Sequence, residues 1–141
     1  MRSRHLSIRL EPDAFDRLDA ESRQARTTVS ELARTLIDEG LRMQRHPEIV
    51  FRPGPAGRRP ALIDGPDIWE VARVFTRVAG DESGRAEQTA EATGLQPHQV
   101  IAGMRYYLEF SGDIDTWIAQ LDEEAERAEG DWLRTRQLLR R

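Results

Sequence analysis

A run of six residues near the N-terminus, His5-Leu6-Ser7-Ile8-Arg9-Leu10, constrains this chain most. Apolar Leu6, Ile8 and Leu10 alternate with polar His5, Ser7 and Arg9. A period of two predicts a strand with one buried face. No second strand pattern follows nearby, because Pro12 and two helical patterns come next. A lone strand leaves N–H and C=O groups unpaired along both edges. The same strand from a second copy supplies the missing ladder, so the chain is expected to dimerise. The alternative is a strand belonging to a larger sheet. An antiparallel pair would set His5, Ser7 and Arg9 of both copies on one exposed face.

Two helices complete this unit. Pro12 suits a first helical turn, where its missing N–H costs nothing. Phe15 and Leu18, continued by Ser22 and Ala25, are expected on the inner face of the first helix, and Arg26-Thr27 reads as the break. Thr28-Val29-Ser30-Glu31 has capping-box spacing, with Thr28 as cap. Val29, Leu32, Ala33, Leu36, Ile37 and Leu41 then repeat at helical spacing. A unit of roughly 45 residues buries too little surface to be stable alone, a second reason to expect a dimer.

Strand, proline, break and capped helix in this order resemble the ribbon-helix-helix family, the fold of the Arc, MetJ and CopG repressors and of many antitoxins. The resemblance rests on Leu6-Ser7-Ile8-Arg9-Leu10, the helix from Glu11 or Pro12, and Thr28-Val29-Ser30-Glu31-Leu32. It implies that His5, Ser7 and Arg9 contact bases of operator DNA and that Thr28 and Ser30 anchor a phosphate. Both roles have independent physical grounds. A two-stranded ribbon fits the major groove, and free N–H groups at a helix start favour an anion. Arg4, together with Arg2, adds positive charge just before the strand and is placed with the phosphate contacts. For Ser7 and Arg9 the competing reading is an ordinary solvated strand face, and for the two arginines a frayed tail.

Composition sets outer bounds. The net charge of −4 over 141 residues argues against a general nucleic-acid coating protein, but permits local positive charge. All 21 basic residues are Arg, which suits bidentate contacts, although genome composition explains it equally well. The absence of Cys excludes disulfides and thiolate metal sites. No apolar run reaches the length of a membrane span and no signal peptide is visible, so the cytoplasm is the expected location and no membrane partner is expected. His5, His46 and His98 lie in separate segments without ligand spacing. The carboxylates adjoin no recognisable nucleophile, and the glycines match no phosphate-binding loop. Neither an enzyme nor a cofactor is expected.

Residues 42–48 link this first unit, residues 1–45, to a second, residues 46–129. Ile49–Arg52 and Arg58–Ile63 read as a hairpin around Pro53-Gly54-Pro55-Ala56-Gly57, with Arg52, Arg58 and Arg59 as a cationic tip. That tip either touches phosphate or belongs to a hairpin packed on the following helices. Asp67, with Glu70 three residues on, is expected to cap a helix bearing Ile68, Val71, Ala72, Phe75 and Val78. Gly80–Gly84 ends it. Helices over about 85–93 and 97–110 follow. Ala90, Gly94 and Val100 have helix-turn-helix spacing, which leaves Gln96, His98, Gln99 and Arg105 as a second DNA surface or the pair as a plain packing unit. The aromatic run around Tyr106-Tyr107 is expected in a core or interface. Ser111-Gly112-Asp113 reads as a break, and Asp115 as cap of a last helix from about Thr116. Its outer face is acidic from Asp122 to Asp131, then reverses sign at Arg134, Arg136, Arg140 and Arg141. Residues 130–141 form a tail in which Trp132, Leu133 and Arg136 either bind a partner or dock on the chain's own dimer.

The block from His46 to about Glu129 resembles a second, small domain family of unknown function. Its members look like antitoxins and are often encoded beside nucleases with a PIN-like fold. The matching residues are His46–Arg52, Gly57-Arg58-Arg59-Pro60, Asp67–Val71, Tyr106-Tyr107 and Ile114–Ile118. The fold expected is therefore mainly α with short β elements: a ribbon-helix-helix dimer, then a small hairpin and helical, helix-turn-helix-like domain. The function expected is that of an antitoxin, a homodimer or higher even oligomer repressing its operon and neutralising a PIN-like nuclease toxin. The alternatives are a solitary DNA-binding regulator and a dimeric protein-interaction module.

Overall fold

The computed structural model describes residues 2–140, the side chains of Glu82 and Ser83 excepted. Among the described residues there are six helices and one two-stranded antiparallel sheet. No helix is long and apolar enough to cross a membrane. The chain divides into two compact units, residues 1–44 and 45–141.

In the first unit, residues 2–11 form neither helix nor strand in the single chain. The expected strand at His5–Leu10 has no ladder there, since it was expected from a second copy. Helix α1 spans Pro12–Gln24, with its proline in the first turn as expected. It closes through Arg26, whose φ of +54° is the left-handed exception among the described non-glycine residues. That turn is held by the Thr27 N–H donating to the Ser22 carbonyl at 3.0 Å. Ser22 is buried, whereas Ala25 is exposed. Ala25 falls at the C-cap instead of on the inner face because the helix stops one residue earlier.

Helix α2 spans Val29–Arg45. The Thr28 hydroxyl accepts from the Glu31 N–H at 3.1 Å, as capping-box spacing requires. The Glu31 carboxylate accepts a 2.6 Å hydrogen bond from the Thr27 hydroxyl. That bond, then the Thr28 backbone N–H, holds the Glu31 pKa below its ordinary value. A depressed folded-state pKa gives stability that is present above the unfolded value and lost as pH falls through the folded one. Glu31→Gln should therefore lower helix stability at neutral pH, where the ionised carboxylate contributes, and flatten the loss on acidification. Circular dichroism against pH for the two proteins checks this.

The second unit starts with the hairpin. Strands β1 (Ile49–Arg52) and β2 (Arg59–Leu62) pair with Ile49 opposite Leu62 and Phe51 opposite Pro60. Helices α3 (Ile68–Arg77), α4 (Glu82–Thr93) and α5 (Pro97–Glu109) follow. α4 begins about three residues before the expected start because the Asp81 carboxylate caps it, accepting from the Gly84 N–H at 2.8 Å. Gly94, at φ +75°, ends α4 in a left-handed cap that glycine adopts without a Cβ penalty. Helix α6 spans Ser111–Leu139 without interruption.

Two expectations are overturned at α6. Ser111-Gly112-Asp113 form its first turn instead of a break, since an unfilled N-terminal turn tolerates short polar residues. Asp115 is not a cap; its carboxylate accepts the Tyr107 hydroxyl at 2.7 Å. Residues 130–139 are thus a continuation of α6, not a separate tail; Arg141 lies outside the described residues.

Hairpin, α3, α5 and the start of α6 enclose a core that includes Ile49, Leu62, Ile68, Val71, Val100, Tyr106 and Ile114. His46 is buried against it, edge-on to Tyr106 with centroids 5.3 Å apart, and its Nε2 lies 2.8 Å from Glu109 Oε2. Asp67 organises the hairpin. Its side chain makes no helix cap; instead Oδ2 accepts from Arg59 Nε at 2.5 Å and from Trp69 Nε1 at 3.1 Å. Arg52 turns inward too, donating to the carbonyls of Leu62, Ile63 and Gly65 at 2.9–3.1 Å. The exposed cationic tip is therefore not formed: the Arg52 and Arg59 guanidiniums are engaged within the fold.

Candidate nucleic-acid interface

The expected contact residues begin in an uncapped extended segment. Residues 2–9 carry Arg2, Arg4 and Arg9 and no carboxylate, a local positive charge in a unit that is balanced only as a whole. Residues 1–44 hold eight Arg and eight acidic residues, so the whole net charge of −4 falls in residues 45–141. Positive potential available to a phosphate backbone is thus concentrated at the start of the chain.

Arg4, His5, Ser7 and Arg9 are all exposed. So are the apolar residues between them: Leu6 is 70% exposed, Ile8 58% and Leu10 42%. These three line an open groove of about 510 Å³ together with Phe15, Leu18 and Val29. Arg4, His5, Ser7 and Ser30 border the same groove, whereas Arg9 and Thr28 do not. Four of the six expected contact residues are thereby brought to one concavity. Beyond it, Leu36, Ile37 and Leu41 of α2 are 40–59% exposed. Of the stripe expected at helical spacing, only Leu32 is buried. A full stripe of large apolar residues left half in water marks a surface with a missing partner.

The start of α2 can hold an anion, but not through the atoms first expected. The Thr28 hydroxyl oxygen is engaged with the Glu31 N–H. The groups suited to a phosphate are the N–H groups of Val29 and Ser30 in the first turn, and the Ser30 hydroxyl. The ionised Glu31 one residue further on opposes an anion, so the anchor works best with Arg4 nearby to offset it.

The second expected DNA surface looks different. The turn Gly94-Leu95-Gln96 between α4 and α5 has the length and the buried Ala90 and Val100 of a helix-turn-helix pair. Yet Gln99 is spent on the helix start, its side-chain oxygen accepting from the Gln96 N–H at 2.9 Å. The outward face of α5 carries Ile101, 45% exposed, and Leu108, 82% exposed, alongside the exposed His98 and Arg105. An apolar outer face on an acidic unit suits a protein surface better than a groove lined by phosphates.

In the second unit, Trp132 and Leu133 are 57% and 46% exposed on α6, and the Arg136 guanidinium lies over the Trp132 ring at 5.0 Å. Among the described residues no three His, Asp or Glu side chains come together as a metal site. Comparison with protein-family models, with curated proteins and with solved structures finds no match to this chain.

Proposed function

We propose that this chain is a dimeric DNA-binding antitoxin. Two copies of Leu6–Leu10 pair as an antiparallel ribbon, the ribbon enters the major groove of operator DNA, and residues 46–141 occupy a PIN-like nuclease. The observation that carries the first half is the exposed row Leu6, Ile8 and Leu10 over an apolar groove. Water is a poor neighbour for seven large apolar side chains in one 44-residue unit, and a second copy of the same unit presents the complementary face. The opposite row, His5, Ser7 and Arg9, then points at the DNA. Arg9 is the strongest reader, through a bidentate contact to guanine.

The second half rests on charge and on the family resemblance of residues 46–129. A nuclease active site attracts a phosphate backbone with positive potential, and the unit offered to it is acidic. Two surfaces in that unit are open to a partner: the Ile101–Met104–Leu108 face of α5, and the α6 segment with Trp132, Leu133 and Arg136.

Arg9→Ala should lose about 1–3 kcal/mol of discrimination for the specific site while leaving the dimer intact. Ser30→Ala should weaken specific and scrambled duplexes alike, since a phosphate contact carries no sequence information. Titrations of both duplexes with each protein separate the effects. Unchanged specific affinity after both Ser7→Ala and Arg9→Ala would reject the ribbon as reader.

A further inference from the structure

The last 17 residues of α6 project an organised surface. Ile114 is buried in the core and Ile118 packs against it. From these two, the spacing of four and three residues continues through Leu121, Ala125, Ala128, Trp132, Thr135 and Leu139. This is an unbroken heptad seam. Its first part is satisfied by the chain's own core. From Ala125 onward every seam residue is exposed, with Trp132 at 57% and Leu139 at 84%. That stretch is roughly 22 Å long at 1.5 Å per residue.

Charge selects the occupant. Residues 122–131 carry six carboxylates and Arg127, and residues 134–141 carry four Arg and no carboxylate. The segment is therefore complementary to itself, but only head to tail. A parallel pair would lay carboxylates on carboxylates and Arg on Arg. An antiparallel pair lays each basic end along the other's acidic stretch.

We infer that α6 pairs with α6 of a second copy as an antiparallel coiled coil centred near Gly130. In that register Leu121 meets the partner's Leu139, Ala125 meets the partner's Thr135, and Ala128 meets the partner's Trp132. The small Ala128 leaves room for the indole, which is the alternation of large and small that packed layers need. Asp122, which also pairs with Arg73 of its own chain, comes beside the partner's Arg136. Glu129 and Asp131 approach their own symmetry mates at the centre. Asp131 is already neutralised within its helix by Arg134, so Glu129 holds the remaining like-charge cost. This contact is independent of the N-terminal ribbon, and it leaves the α5 face as the surface for a different partner.

The chain has no cysteine, so introduced thiols report without background. Full-length Ala125→Cys and Thr135→Cys proteins are co-expressed, treated with a short bis-maleimide and compared with each variant alone. The expected result is a covalent dimer from the mixture and little from either variant alone. Adding Trp132→Glu, an exposed position that leaves the core untouched, should weaken this pairing by about 30-fold, as expected for a central tryptophan. Equal cross-linking of each variant to itself would mean a parallel pair and overturn the inference. So would no cross-link in any arm, or a Trp132→Glu change that leaves the cross-link yield of the mixture unaltered. Loss of DNA binding on Arg9→Ala bears on the ribbon alone, so failure of either contact is read separately.

Discussion

Ile8→Pro should abolish the dimer made by the N-terminal unit and, with it, specific DNA binding. Proline removes a ladder N–H and its ring cannot sit in a paired central position. The ribbon is two-fold, so each loss is counted twice. A ladder hydrogen bond contributes about 1 kcal/mol, and burial of an Ile side chain about 1.5–3 kcal/mol. The combined effect is on the order of 5 kcal/mol, more than a thousandfold in dimer affinity. In the isolated fragment helices α1 and α2 should lose helicity together with the dimer, because a unit of this size buries too little surface alone. Sedimentation of residues 1–45 carrying the change should show monomer where the unaltered fragment is dimeric. A folded monomer for the unaltered fragment at micromolar concentration would contradict the account.

Asp67→Ala should destabilise the second unit by about 2–4 kcal/mol, the low side of what breaking a buried ion pair costs, since the Arg59 side chain retains 26% exposure. Asp67, at the start of α3, joins two elements through one oxygen: Arg59 on β2 and Trp69 on α3. Its removal strands the guanidinium of Arg59 and the indole N–H of Trp69 together. Asp67→Asn should cost less, because an amide oxygen still accepts one hydrogen bond. Denaturant unfolding should show the transition of residues 45–141 moved to lower concentration. DNA affinity of the full chain should hold, because the proposed operator contacts lie in the first unit.

What could be read from the residues was local. The α1–break–α2 pattern, the Thr28 cap, the hairpin and the core faces of α3 and α5 follow from period, proline and turn chemistry, all decided within a few residues. The errors occurred where a distant group decides. Arg52 and Arg59 flank a glycine- and proline-rich turn and look like an exposed tip. Carbonyls ten and more residues away and the Asp67 carboxylate draw them inward. Asp67 and Asp115 have cap spacing, but stronger partners, Arg59 and the Tyr107 hydroxyl, claim their carboxylates. Ser111-Gly112-Asp113 resembles a stop only until α5 and α6 are seen to be separated by Phe110 alone. Within the candidate site, the alternation at His5–Leu10 was legible, and so was the position of Ser30. That the Thr28 hydroxyl is consumed by its own helix was legible too, from the capping box, and it shifts the proposed phosphate anchor to the N–H groups of the first turn.

The central claim is that the paired ribbon reads a particular DNA sequence. Its most direct test is to incubate the full-length protein with sheared DNA of its source genome at physiological salt and sequence the retained fragments. The account predicts enrichment of a few sites built on an inverted repeat, one of them upstream of the protein's own gene, with the enrichment lost for Ser7→Ala/Arg9→Ala. Retention without sequence preference, or equal enrichment by the double variant, would contradict it.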